Sequence, residues 1–93
     1  MNTDWEMAIE KVFRFADGRT VFVGKVQGGP SLIRSCLCEI RSGETLLSRL
    51  QLEGEMIPKG NPRKDVRSVS TREPVDLTDA VVATKGCRLV CTR

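Results

Sequence analysis

The sequence predicts an all-β fold, a small and mostly antiparallel β-barrel closed on itself. Two observations carry that expectation. Apolar and polar residues alternate with the period of two that half-buried strands require, and glycine-centred turn signals separate the alternating segments. No segment sustains the 3.6-residue period of an amphipathic helix, although Asp4 to Lys11 is compatible with a short helical turn. Six or seven short strands in 93 residues point to a barrel or sandwich, and closure is how a small sheet avoids exposed edges.

The first segment, residues 7–16, places Met7, Ile9, Phe13 and Phe15 on one face and Glu10 and Arg14 on the other. Lys11 alone breaks the pattern. Asp17-Gly18 supplies the left-handed backbone of a tight hairpin, and Thr20 to Val26 follows as a β-branched strand. Gly24 lies inside that strand, where a residue without a side chain marks a bulge, a bend or a close backbone approach. Gly28-Gly29-Pro30-Ser31 is a turn, and Leu32 to Arg41 a third strand ending at Ser42-Gly43. In the fourth, Leu46, Leu50 and Leu52 share one face, with Thr45, Arg49, Gln51 and Glu53 on the other, and Met56-Ile57 closes it.

Pro58 and Pro62 remove ladder donors, so an irregular basic loop is expected around 58–74. Within it Asp65 to Thr71 reads as a short strand anchored only by Val66 and Val69, with Val75 just beyond. Ala80-Val81-Val82-Ala83 and Cys87-Arg88-Leu89-Val90-Cys91 flank Lys85-Gly86 and read as a second hairpin. The whole chain, 1–93, is expected to form one domain.

Composition narrows the function. Hydrophobic residues make up 40% and charged residues 29%, which suits a folded domain rather than a disordered chain. Histidine is absent, which removes the commonest general base and the usual zinc ligand. With no nucleophile motif either, an enzyme is not expected. Neither a secretory leader nor an apolar run of about 18 residues is visible, so a cytoplasmic protein without membrane contact is expected. The net charge of +3 is too balanced to define a partner by itself.

Ile9, Glu10, Val12 and Phe13, followed by Thr20, Val21, Gly24, Val26 and Gly29, resemble without a gap the start of domain II of elongation factor Tu and related translational GTPases. Glu39-Ile40 is similar to the V-E-I that ends that family's third strand, with one residue inserted before it. Gly54-Glu55-Met56 is similar to its V-E-M. The resemblance covers residues 9–56 and is loose after Pro58. It implies a translation-factor barrel. In elongation factor Tu the aminoacyl end of transfer RNA rests on this barrel against an acidic pair and a Phe of the first strand, a Thr of the second, and the Glu of V-E-M. Glu10, Phe13 and Glu55 match those positions, whereas Lys11 replaces the second acid and Val23 the Thr. The first exchange reverses a charge and the second removes a hydroxyl. No G-x-x-x-x-G-K-[ST] loop occurs, so no nucleotide is expected to bind. The resemblance therefore implies a free-standing, non-enzymatic binding module whose partner is RNA, a ribonucleoprotein or, alternatively, another protein.

Two side-chain groups are candidates for a site. The run "KGNPRKDVRSVSTR" sets Lys59, Arg63, Lys64, Arg67 and Arg72 against the single acid Asp65, as a phosphate-binding loop would. It carries no aromatic for base stacking, and the alternative is a solvated loop. Cys36-x-Cys38 and Cys87-x-x-x-Cys91 each put two sulfurs on one strand face. Four-cysteine zinc sites favour pairs in turns, so the thiols read as small buried hydrophobes, with a zinc site or a disulfide as alternatives. Neither a metal nor a cofactor is expected. The carboxylate pairs Glu10 with Glu55 and Asp76 with Asp79 have no spacing that supports acid–base work.

Overall fold

Alternation in the sequence is realised as six strands: β1 (Thr3–Arg14), β2 (Thr20–Gly28), β3 (Arg34–Ser42), β4 (Thr45–Met56), β5 (Val66–Thr71) and β6 (Cys87–Thr92). The computed structural model describes residues 3–28, 33–56, 66–75, 77–78, 80–82 and 86–92. The strands hydrogen-bond in the order β1-β2-β5-β4-β3-β6, and β6 pairs back with β1 to complete an antiparallel ring. Inside it Trp5, Met7, Ile9, Val12, Phe22, Cys38, Ile40, Leu50, Leu52, Val69 and Leu89 form one continuous core. Among the described residues no helix is long and apolar enough to cross a membrane.

Bulges decide which side chains reach that core. The β1–β2 register pairs Ile9 with Gly24 and then Lys11 with Val23, so Glu10 is the extra residue and the facing pattern inverts after it. Val12 therefore points inward and is buried, while Phe13 and Phe15, expected on the core face, are 44% and 42% exposed. A second irregularity between Ile40 and Arg41 skips Leu47 in β4, so Leu46 is exposed whereas Leu50 and Leu52 are buried. A third leaves Glu53 as the extra residue of β4. Gly54 accommodates it at φ 142°, a backbone conformation that L side chains rarely adopt, and Glu55 then pairs with Val69 on the core face.

One end of the ring is closed by the chain that follows β5. At the end holding the β1–β2 and β3–β4 turns, the chain after β5 sends Val75, Leu77 and Val82 into the core. Arg14, the last residue of β1, donates through Nη2 to the carbonyls of Val75 and Leu77 and ties that segment down. Residues 80–82 are a helical turn rather than the expected strand. The Thr78 carbonyl accepts the Val82 N–H at 3.0 Å, its Oγ1 accepts the Val81 N–H at 3.3 Å, and the Val82 carbonyl accepts the Gly86 N–H at 2.9 Å. A short apolar run serves a strand or a buried helical turn equally well, and here the threonine cap and Gly86 at φ 64° select the turn. Ala83 and Lys85 of the expected hairpin lie outside the described residues.

The first hairpin turn forms where expected, over Phe15 to Arg19. The Gly18 N–H reaches the Phe15 carbonyl at 3.1 Å and the Phe15 N–H the Arg19 carbonyl at 2.8 Å, with Gly18 at φ 95°. Gly24 is required for a different reason. A Cβ built there would lie 2.0 Å from the carbonyl oxygen of Ala8, so the bulged β1 backbone occupies the space of a side chain.

Two glycine substitutions separate these causes. Gly24→Ala must displace backbone and is expected to cost about 3 kcal/mol or more, the upper end for overpacking. Gly18→Ala meets no atom within 4 Å and is expected to cost only the left-handed conformation, about 1–2 kcal/mol. Denaturant unfolding of both variants checks this; equal costs would contradict it.

Candidate functional site

The five basic residues singled out in the sequence do not form one patch. Lys59, Arg63 and Lys64 lie outside the described residues. Arg67 is on β5, opposite Gly24 and on the same face as the buried Val69, so its side chain enters the ring. Arg72 follows the far end of β5, roughly 16 Å along the strand direction at about 3.3 Å per residue, and there its Nε donates to Glu53 at 2.7 Å.

At that far end Arg72 joins residues the sequence did not single out. Arg14, Phe15, Gly18, Arg19, Thr20, Arg72, Pro74 and Val75 line an open groove of about 340 Å³ between the first hairpin turn and the segment after β5. The Arg19 guanidinium lies over the Phe15 ring, 5.5 Å from its centroid, within cation–π range. Its Nε also donates to Asp17 at 2.8 Å. The Arg19 N–H donates to the same carboxylate at 3.0 Å, and these contacts hold Asp17 below the usual carboxylate range. Arg14 is held by the carbonyls of Val75 and Leu77. Three guanidinium groups and an exposed aromatic thus share one groove, which the sequence concealed because Arg72 is more than fifty positions from Phe15.

The opposite end carries an ion pair directed into the ring. Glu55 accepts from Arg67 at both oxygens, with Nε at 2.8 Å, and from the Ile33 N–H at 3.1 Å. Its own N–H donates to the Ile33 carbonyl at 2.9 Å. The Arg67 hydrogen bonds hold Glu55 below its ordinary value, and Glu55 raises Arg67 in turn. The glutamate that the resemblance would offer to a ligand is therefore committed within the fold. Phe13, by contrast, is exposed on the outer surface.

Three of the four thiols meet. Cys38 lies directly opposite Cys91 across the β3–β6 ladder, and its Sγ is 3.6 Å from that of Cys36. The three sulfurs all lie within 4.8 Å of one another, with Cys38 and Cys91 buried and Cys36 partly exposed. Burial, followed by the neighbouring sulfurs, pushes the Cys38 thiol far above its ordinary value, which makes it a poor nucleophile. Cys87 is buried near the hairpin end, opposite Ser42, and is not part of the cluster.

No known protein family matches this chain, and no curated protein or solved structure does so either.

The Glu55–Arg67 pair gives a signed expectation. A lowered carboxylate contributes stability that is present above its unfolded pKa and is lost as the pH falls through the folded one. Glu55→Gln is expected to be less stable than the wild type at pH 7 by about 2 kcal/mol, below the roughly 3–5 kcal/mol of a fully buried pair because both groups keep some solvent contact. The gap should close as the pH falls below the ordinary glutamate value of 4.5. Urea unfolding at a series of pH values checks this, and a gap that persists at the acid end would contradict it.

Proposed function

We propose that this chain is a non-enzymatic binding module of the translation-factor barrel type that contacts RNA, in the cytoplasm, through the groove at its hairpin end. The observation that supports the reading is the convergence of Arg14, Arg19 and Arg72 with Phe15 on that groove. Guanidinium groups hold phosphates, and an exposed ring offers a surface on which an unstacked base can lie. Of the basic residues read from the sequence, Arg72 stays in the proposed contact, and Lys59, Arg63 and Lys64 lie outside the described residues. Arg67 we assign to the fold, through Glu55.

A single strand suits the groove better than a duplex, because duplex RNA offers no free base face to Phe15. The basic groups recognise phosphate without reading base edges, so sequence preference should be weak. A second reading, a protein-interaction adaptor, is favoured by the exposed Leu37, Leu46 and Leu47 along the β3–β4 hairpin. There an RNA would find apolar surface and no aromatic.

Fluorescence anisotropy with a labelled single-stranded RNA tests the reading. Binding should weaken steadily with salt, and the Arg19→Ala, Arg72→Ala double variant should reduce the slope of log affinity against log salt by about one to two units. Phe15→Ala should cost about 1–3 kcal/mol with the slope unchanged. Absence of binding at about 50 mM salt, where phosphate contacts are strong, would reject RNA in favour of the adaptor. Wild-type binding in both variants would move the contact away from the groove.

A further inference from the structure

We propose that Cys36, Cys38 and Cys91 form a binding site for one soft monovalent metal ion, Cu(I) in chemical class. The inference is independent of the groove and of RNA.

The placement is set by the ladder. Residues 36 and 38 are two apart on β3 and so share its inner face, and the β3–β6 register brings Cys91 directly across from Cys38. A metal ion sharing three sulfurs at the ~2.3 Å of metal–thiolate bonds would hold them about 4 Å apart. These sulfurs already lie within 4.8 Å of one another, one pair at 3.6 Å. Side-chain rotation is enough to close the site.

The donor set selects the ion. Three thiol sulfurs, with no carboxylate or fourth thiol joining them among the described residues, make a complete shell for a three-coordinate soft ion. Zinc takes four ligands, and thiolates favour soft ions such as Cu(I). Cys38 and Cys91 are 0% and 3% exposed, which leaves little room for a water to supply a fourth ligand. The partly exposed Cys36 gives the way in and out. Binding replaces S–H protons by metal–sulfur bonds and releases them to solvent, with no change in oxidation state, so occupancy falls in acid.

A disulfide is the competing use of the same atoms. Cys38 and Cys91 are the pair it would join, because direct cross-strand partners have Cα atoms within bonding reach. Residues two apart on an extended strand lie at or beyond the upper limit of that range.

The test uses the full chain, reduced and anaerobic, titrated with Cu(I) as its acetonitrile complex against a Cu(I)-specific chelator, with thiolate-to-copper absorption as a second readout. One equivalent should bind, and the thermal midpoint should rise. Cys36→Ala removes the most exposed ligand and is the variant most certain to fold, which circular dichroism verifies. It should lose more affinity than the ~10–100-fold that loss of an outer supporting contact costs. Cys87→Ala should bind as the wild type does. Undiminished binding in Cys36→Ala, equal loss in Cys87→Ala, preference for Zn(II) over Cu(I), or failure to bind one equivalent would each overturn the proposal. Formation of a Cys38–Cys91 disulfide in air, found by peptide mapping of a protein that takes up no copper when reduced, would replace it with a redox pair.

Discussion

The rest of the structure depends on β6 pairing with both β1 and β3. A strand six residues long contributes little surface, yet it turns an open sheet with two edges into a ring with none. Its inward side chains, Cys87, Leu89 and Cys91, lie in the core cluster. On the outside Val90 is covered between Glu6 and Glu39, its partners on either side. Arg88 ties the closure to both neighbours, with Nη1 donating to Glu6 at 3.1 Å and Nη2 to the Gly43 carbonyl at 3.1 Å. Without this strand Cys91 would not meet Cys38, and the segment holding Val75, Leu77 and Val82 would lose the anchor that brings it back across the end of the ring.

Within that frame, bulges distribute chemistry between inside and outside. One extra residue in β1 turns Phe13 and Phe15 to solvent. One extra residue in β4 turns Glu55 inward, where it meets Arg67. The same event thus yields an exposed aromatic beside arginines at one end and a closed ion pair at the other. The outer surface is a lattice of shorter-range charge pairs. Glu39 illustrates it, largely covered by Arg41 at 2.8 Å and Arg49 at 3.1 Å, and its hydrogen bond from Arg41 is the main cause of its lowered pKa. Such pairs organise an edge-free sheet more than they stabilise it, since solvent screens exposed partners.

Much of the fold was legible in the sequence because strands and turns are local signals. The β1–β2 and β3–β4 hairpins, the Gly18 turn and the close approach at Gly24 follow from alternation and glycine placement. The faces were harder, because a bulge moves every later side chain to the other side while leaving composition untouched. Lys11, the one residue that broke the alternation, marked the first inversion. Ala80 to Ala83 offered apolar residues without a period, and the deciding signals were Thr78 and Gly86 at its flanks. The candidate sites were the least legible. Arg72 beside Phe15, and Cys91 beside Cys38, are juxtapositions made by pairings between distant segments, and only the ring order reveals them. The inward course of Arg67 was hidden in a run that reads as basic apart from Asp65.

Amide hydrogen exchange along β6, resolved residue by residue by NMR, tests ring closure most directly. In an antiparallel strand successive N–H groups point to alternate sides, so a strand with two partners protects consecutive amides and an edge strand protects every other one. The account predicts that the amides of Arg88, Leu89, Val90 and Cys91 all exchange slowly, at rates comparable with those of β2. Alternating fast and slow exchange along β6 would show an open sheet and contradict it.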